Sequence, residues 1–248
     1  MSAVQNYVRT TAPRGRETER IGPFLATYTP GSANSMLNYA IPDDGAAPTP
    51  AELKALADAF TRRELRPRLE YFSDVAPELE GLLLADGYEL ERRVPLMICS
   101  LDDRIDRPAP EGIRLRDPAT DEDFRKMRSA QNIAFGESPE VTDAEIERTK
   151  ASRAAGSLLV LAEDAGDVIG GGIALEIVDG TTELAGIAVL EQYRKRGIAA
   201  AITAHLTRAA HRRGAHTPFL TPGDLGIGHV YASVGYRPTG ECVHLSRP

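Results

Sequence analysis

The stretch that most limits what this chain can become runs from Thr181 to Gly214, TTELAGIAVLEQYRKRGIAAAITAHLTRAAHRRG. Glu183 to Leu190 is β-branched and aliphatic over the length of a strand. A basic bend follows, Gln192-Tyr193-Arg194-Lys195-Arg196-Gly197. Ile198, Ile202 and Leu206 then recur at helical spacing, Arg208, Arg212 and Arg213 fill the last turns, and Gly214 closes the helix. A glycine-bearing turn that opens a helix presents unpaired backbone N–H groups and a partial positive charge, which together make an anion site suited to a diphosphate. Gly197 allows close approach, Ala199 and Ala200 keep the first turn free of bulk, and Arg194 and Arg196 add charged donors. No Gly-Lys-Ser/Thr is present and the glycine spacing is wrong for a dinucleotide fold, so neither a P-loop nor a Rossmann fingerprint is at hand.

Composition narrows the partners. A formal charge of −7 and a pI near 5.4 argue against non-specific nucleic-acid binding, while leaving room for a local basic pocket. No run approaches a membrane span and the first residues carry no signal-peptide core. Cys99 and Cys242 are too few for a disulfide scaffold or zinc site, and a cytoplasmic location is expected. The histidines His205, His211, His216, His229 and His244 show no metal spacing. Gly170-Gly171-Gly172 lies inside a hairpin, where close backbone approach or a bulge is expected rather than a phosphate loop.

The rest of the chain reads as α/β, with a mixed sheet. Residues 1–17 read as a tail or leading segment. Strands are expected over 21–28, 36–41, 68–72 and 88–99, with helices over 50–60 and 77–85. Thr49, Pro50 and Glu52 supply start signals for the first of these helices. Pro108 and Pro110 mark a linker at 101–111. It separates a first domain at 18–100 from a second at 112–248. The second reads strand, helix 121–134, a further helix from Thr142, a hairpin, the strand and helix above, a short strand at 217–221, a helix at 224–233 and a last strand at 236–245.

The order Arg194-x-x-Gly197-x-Ala199, set between that strand and helix, resembles motif A of the GNAT superfamily of acyl-CoA-dependent N-acyltransferases. The resemblance implies a GNAT fold. It also implies acetyl-CoA (coenzyme A) as acyl donor, with its diphosphate on Arg194, Lys195, Arg196, Gly197, Ile198, Ala199 and Ala200. Pantetheine would pair with the main chains of Ile187, Ala188 and Val189, and an amide near Ile187 or Ala188 would polarise the thioester carbonyl. Tyr231, in Tyr-Ala-Ser-Val-Gly-Tyr, matches the family's Tyr-x-x-x-Gly-Phe and would protonate the leaving thiolate. A phenol pKa of about 10 lies near a thiol's, so that transfer is nearly balanced. Glu183, placed as in Gcn5-type enzymes, would be the base. Period-two alternation sets it on the face of Ala185, Ile187 and Val189. Asp224 stands where relatives often carry Asn and reads as a helix cap first and a cofactor or acceptor contact second.

The two halves end alike. Leu82 to Tyr88 parallels Val230 to Tyr236 when the Gly-Tyr pairs are superposed, which sets Leu83 against Tyr231. The first half carries Asp43-Asp44-Gly45 where the basic bend would be, and two carboxylates would repel a diphosphate. Two tandem GNAT-like halves are therefore expected, the first without cofactor chemistry. The expected activity is direct acetyl transfer to the amine of a small molecule. A non-catalytic acyl-CoA-binding module or an enzyme acting on a protein amine are the alternatives. No nucleic acid or membrane partner is expected, and a homodimer is allowed.

Overall fold

The computed structural model describes residues 3–223 and 225–248. In chain order, helix α1 (Ala3–Thr11) leads to strands β1 (Glu17–Ile21), β2 (Phe24–Tyr28) and β3 (Tyr39–Pro42). Helix α2 (Pro50–Thr61), β4 (Arg68–Phe72), α3 (Leu79–Ala85) and β5 (Glu89–Ile98) follow. Then come β6 (Ile113–Arg116), α4 (Asp121–Ala134), α5 (Asp143–Ala154), β7 (Leu158–Asp164), β8 (Asp167–Ala174) and β9 (Thr181–Val189). The chain ends with α6 (Ile198–Arg212), β10 (Thr217–Leu220), α7 (Gly228–Ala232) and β11 (Arg237–Ser246). Among the described residues no helix is long and apolar enough to cross a membrane.

Two units form, and neither is a contiguous stretch. One comprises Met1–Leu96, Thr221–Leu225 and Pro238–Pro248; the other comprises Met97–Leu220 and Gly226–Arg237. The division thus departs from a break at 101–111. That segment is bonded into the second unit, where the Ile105 amide donates to Val234 O at 2.8 Å and Asp103 pairs with Arg237 at 2.7 Å. The last strand, β11, pairs antiparallel with β4 of the first unit, from Arg68↔Ser246 to Phe72↔Cys242.

In the first unit the sheet order is β1-β2-β3-β4-β11-β5. Helix α2 begins as its sequence requires: Thr49 and Glu52 close a capping box, and Pro50 sits in the first turn. Helices α2 and α3 seat Leu53, Leu56, Phe60, Leu79 and Leu83 against Leu69, Tyr71, Val243 and Leu245 of the sheet. Residues 3–11 are not a bare tail. They form α1, whose buried Val4 and Tyr7 and partly buried Val8 fall on one helical face.

In the second unit the end of β5 (Met97, Ile98) lies beside β10, and the order there is β10-β9-β8-β7-β6. Among the described residues only β9 and β10 run parallel there; the other pairs are antiparallel. Phe124 and Met127 of α4 and Ile146 of α5 cover one face, over Leu159, Leu161 and Ile173. Ile198, Ile202 and Leu206 of α6 cover the other, over Val160, Leu184, Ile187 and Val189. The triple glycine sits where both layers press on β8. A Cβ on Gly171 would lie 2.6 Å from Met127 of α4, and one on Gly172 would lie 3.0 Å from Ile202 of α6.

Candidate active site

Strands β9 and β10 are paired only over Thr181–Glu183 and Thr217–Phe219. Beyond Glu183 the β10-facing edge of β9, Leu184 to Val189, has no ladder partner among the described residues, so no neighbouring strand covers this edge and an extended ligand could lie along it. On its other edge β9 bulges. Ala185 pairs with Ile173 and Ala188 with Gly171, so Gly186 and Ile187 together oppose Gly172. Gly186 has φ +60°, a left-handed conformation that a side chain would strain, and its carbonyl accepts a 2.6 Å hydrogen bond from the buried Gln131 side chain of α4.

The bulge corrects the alternation expected from sequence. One inserted residue shifts every later side chain to the opposite face. Glu183 and Ala185 lie on the α4 face with Ala188, whereas Ile187 and Val189 lie on the α6 face with Leu184. Glu183 is half-buried.

Past β9 the chain turns through a short 3-10 segment, Glu191–Tyr193, into the basic bend. Lys195 (φ 62°) and Gly197 (φ 80°) are both left-handed, and Gly197 caps α6. Among the described residues the amides of Lys195 through Ala200 have no backbone acceptor, so several N–H donors gather at the positive end of a 15-residue helix. The side chains divide the work differently from expectation. Arg194 donates to Val189 O at 3.1 Å and to Ala134 O at 2.9 Å, bracing the bend against the end of α4. Arg196 pairs with Asp164 at 3.1 Å and lies over the Tyr193 ring. Lys195 is exposed and has no counter-ion among the described residues. Ile198 turns its side chain into the core, while Ala199 and Ala200 are half-buried.

Tyr231 is buried on the α6 side, edge-on to Tyr236 at 6.4 Å between ring centroids. Burial raises its phenol above the ordinary value. Its hydroxyl has no hydrogen-bond partner among the described residues. Glu183 and Tyr231 therefore stand on opposite faces of the sheet. His229 bonds Gly226 O at 2.7 Å, away from both. Asp224 lies outside the described residues. Gln131 was missed by the sequence reading, although a signal existed: it continues the Phe124, Met127 stripe of α4 by one turn, a polar side chain on an apolar face.

The first unit has a parallel strand pair of its own. Strands β3 and β4 are parallel and joined through one pair, Ala40↔Leu69. Helix α3 ends in the same hydrogen-bonded turn as α7. The Tyr88 amide donates to Leu83 O at 3.0 Å and Gly87 to Leu84 O, as Tyr236 donates to Tyr231 O at 3.1 Å and Gly235 to Ala232 O. Leu83 thus holds the place of Tyr231. Between β3 and β4, however, stands α1. Gln5 accepts from the Phe72 amide of β4 at 3.2 Å, and Arg9 donates to Pro42 O of β3 at 2.7 Å. Arg9 also pairs with Asp44 at 2.5 Å, and Arg20 pairs with Asp43. The two carboxylates expected to repel a diphosphate are therefore neutralised, and the gap is closed because the chain's own helix occupies the strand edges.

A mixed sheet with one splayed parallel pair, whose first strand runs into an amide-lined helix start, is the architecture of a GNAT-type acyltransferase. Residues 122–236 match the Acetyltransferase (GNAT) family. Among solved structures, a GCN5-related N-acetyltransferase from Kribbella flavida is similar with a TM-score of 0.84 and 26% identity, covering 99% of this chain and 94% of that one. A GCN5-related N-acetyltransferase from Sphaerobacter thermophilus has a TM-score of 0.66 and 20% identity, covering 92% and 82%. A tandem GNAT protein from the clavulanic acid biosynthesis pathway has a TM-score of 0.60 and 12% identity, covering 90% and 77%. Comparison with curated protein sequences finds no match. Residues 122–236 are a GNAT-family acetyltransferase domain, and the protein is an acyltransferase.

Proposed function

We propose that this protein moves an acetyl group from acetyl-CoA to the amine of a small-molecule acceptor by direct attack. One observation carries the proposal: the unpaired edge of β9 leads straight into the amide-lined bend at Lys195–Ala200. That arrangement fits an extended chain ending in a diphosphate. Bound there, acetyl-CoA would supply the activated thioester.

The chain's own groups would do the rest. The main chains of Ile187, Ala188 and Val189 would align the donor. The amides of the bend, with Lys195 beside them, would hold the diphosphate, and Arg194 would keep the bend in shape. Glu183 would accept the amine's proton from the α4 face, directly or through water, and Tyr231 would donate a hydrogen bond to the departing sulfur from the α6 face. Because burial raises the Tyr231 phenol, full transfer to a thiolate is uphill rather than balanced. Tyr231 thus serves best by donating a hydrogen bond as charge builds on sulfur.

The first unit would be a GNAT-like half without cofactor chemistry. Its splayed strands, its Leu83 and the helix α1 closing the gap support this, as does the shared fold with a tandem GNAT protein. The free, buried Cys99 and Cys242 accord with a reducing cytoplasm. The test is thiol release from acetyl-CoA in the presence of a panel of small amines and, separately, of peptides. Release with small amines supports the proposal. Release with peptides alone would replace the acceptor class, and none with any amine would defeat it.

A further inference from the structure

We infer that Gln131 is a positioning residue for acyl transfer: it clamps the β9 bulge so that the Ile187 N–H is aimed at the thioester carbonyl. The inference rests on the acetyl-transfer reading above. It begins from the bulge itself. Among the described residues Gly186 and Ile187 have no register partner on β8 or β10, so the peptide that joins them lies outside the regular ladder. Gln131 holds it instead. Its Nε2 donates to Gly186 O at 2.6 Å from a side chain only 2% exposed, and Arg128 donates to Gln131 Oε1 at 3.3 Å, which sets the orientation of the amide. A peptide unit is planar and trans, so pinning the Gly186 carbonyl towards α4 points the Ile187 N–H the opposite way, away from Gln131. Residue 186 must be glycine for two reasons that converge on the same contact. Its φ is +60°, and a Cβ there would lie 2.9 Å from Gln131 Nε2.

A donor fixed before the reaction needs no reorganisation when charge appears on the carbonyl oxygen, and removing one such donor commonly costs about 10²–10³ in turnover. Gln131 supplies no donor itself; it holds one. Its loss would let the 186–187 peptide rotate, and the effect should be smaller.

The test compares the unaltered protein with Gln131→Met, which keeps the length and removes the donor, and with Gln131→Glu, which places a carboxylate against the carbonyl. For Gln131→Met, kcat should fall about 10–100-fold. KM for acetyl-CoA and the affinity for free CoA should stay within about threefold, because the bend that holds the diphosphate is untouched. Gln131→Glu should fall at least as far. Two readouts stand apart from turnover. In the ligand-free protein, amide hydrogen exchange at Ile187 should quicken in both variants. In the complex with carbonyl-labelled acetyl-CoA, the infrared shift of the thioester C=O should shrink. Unchanged kcat in a folded Gln131→Met variant, or an unchanged C=O shift, overturns the inference while leaving the acetyl-transfer reading intact. If the unaltered protein neither binds CoA nor transfers acetyl groups, both fall together.

Discussion

Arg194 offers the sharpest separation between two accounts of the basic bend. If its charge grips the diphosphate directly, Arg194→Lys should behave much like the unaltered protein and Arg194→Ala should not. The structure sets the guanidinium across two backbone carbonyls, Val189 O at 3.1 Å and Ala134 O at 2.9 Å. A planar fork reaches both at once, and an ammonium does not. Two hydrogen bonds from an exposed charged group contribute about 1–2 kcal/mol together, the low end of the charged range because water competes. For a chain of this length that corresponds to a fall in Tm of about 2–8 °C without ligand. A bend that must be ordered on binding also weakens CoA by about fivefold, through the cost of immobilising the loop. Both changes should appear in Arg194→Ala and in Arg194→Lys alike, by differential scanning calorimetry without ligand and by titration with CoA over a range of salt. Arg194→Lys with unaltered Tm and unaltered CoA affinity, set against a weakened Arg194→Ala, would refute the bracing role.

Tyr231→Phe should lower kcat about tenfold or more while CoA affinity stays close to unaltered. Because burial raises the phenol, it remains protonated as pH climbs, so the alkaline limb of the rate profile below about pH 10 should not move in that variant. Glu183→Gln should lower kcat about tenfold or more, measured with saturating acetyl-CoA; equal turnover would assign the base elsewhere. Asp123 closes the capping box of α4 and pairs bidentately with Arg116, which holds its carboxyl well below the usual range. Asp123→Asn should cost about 0.5–2 kcal/mol by chemical denaturation at neutral pH. A folded-state pKa below the unfolded one gives stability that is present above about pH 4 and lost on further acidification, so the gap between variant and unaltered protein should narrow below that pH.

Much of the fold was legible because its signals are local. The aliphatic run into Gly197, the helical spacing of Ile198, Ile202 and Leu206, and the capping pairs Thr49/Glu52 and Thr142/Glu145 each fix their element within a few residues. The bulge was not legible, since alternation in Glu183–Val189 looks regular until the pairing with β8 shows one residue too many. Gln131 acts through that bulge and was hidden with it. The role of Arg194 depends on where Ala134 O falls, 60 positions away in sequence. Helix α1 lacks strong start signals, and its purpose is visible only from the strand edges it meets at Pro42 and Phe72. The Asp43 and Asp44 carboxylates were read correctly as acidic but without the Arg20 and Arg9 side chains that offset them.

The central claim is that one bend, at Lys195–Ala200, receives the diphosphate of coenzyme A, and that the matching gap in the first unit is filled by α1. Calorimetric titration of the full chain with CoA, repeated with pantetheine lacking the diphosphate, tests it most directly. The expected result is a single site per chain, with affinity that falls sharply for pantetheine and in a Lys195→Glu variant. No heat of binding, two sites per chain, or equal affinity for CoA and pantetheine would contradict it.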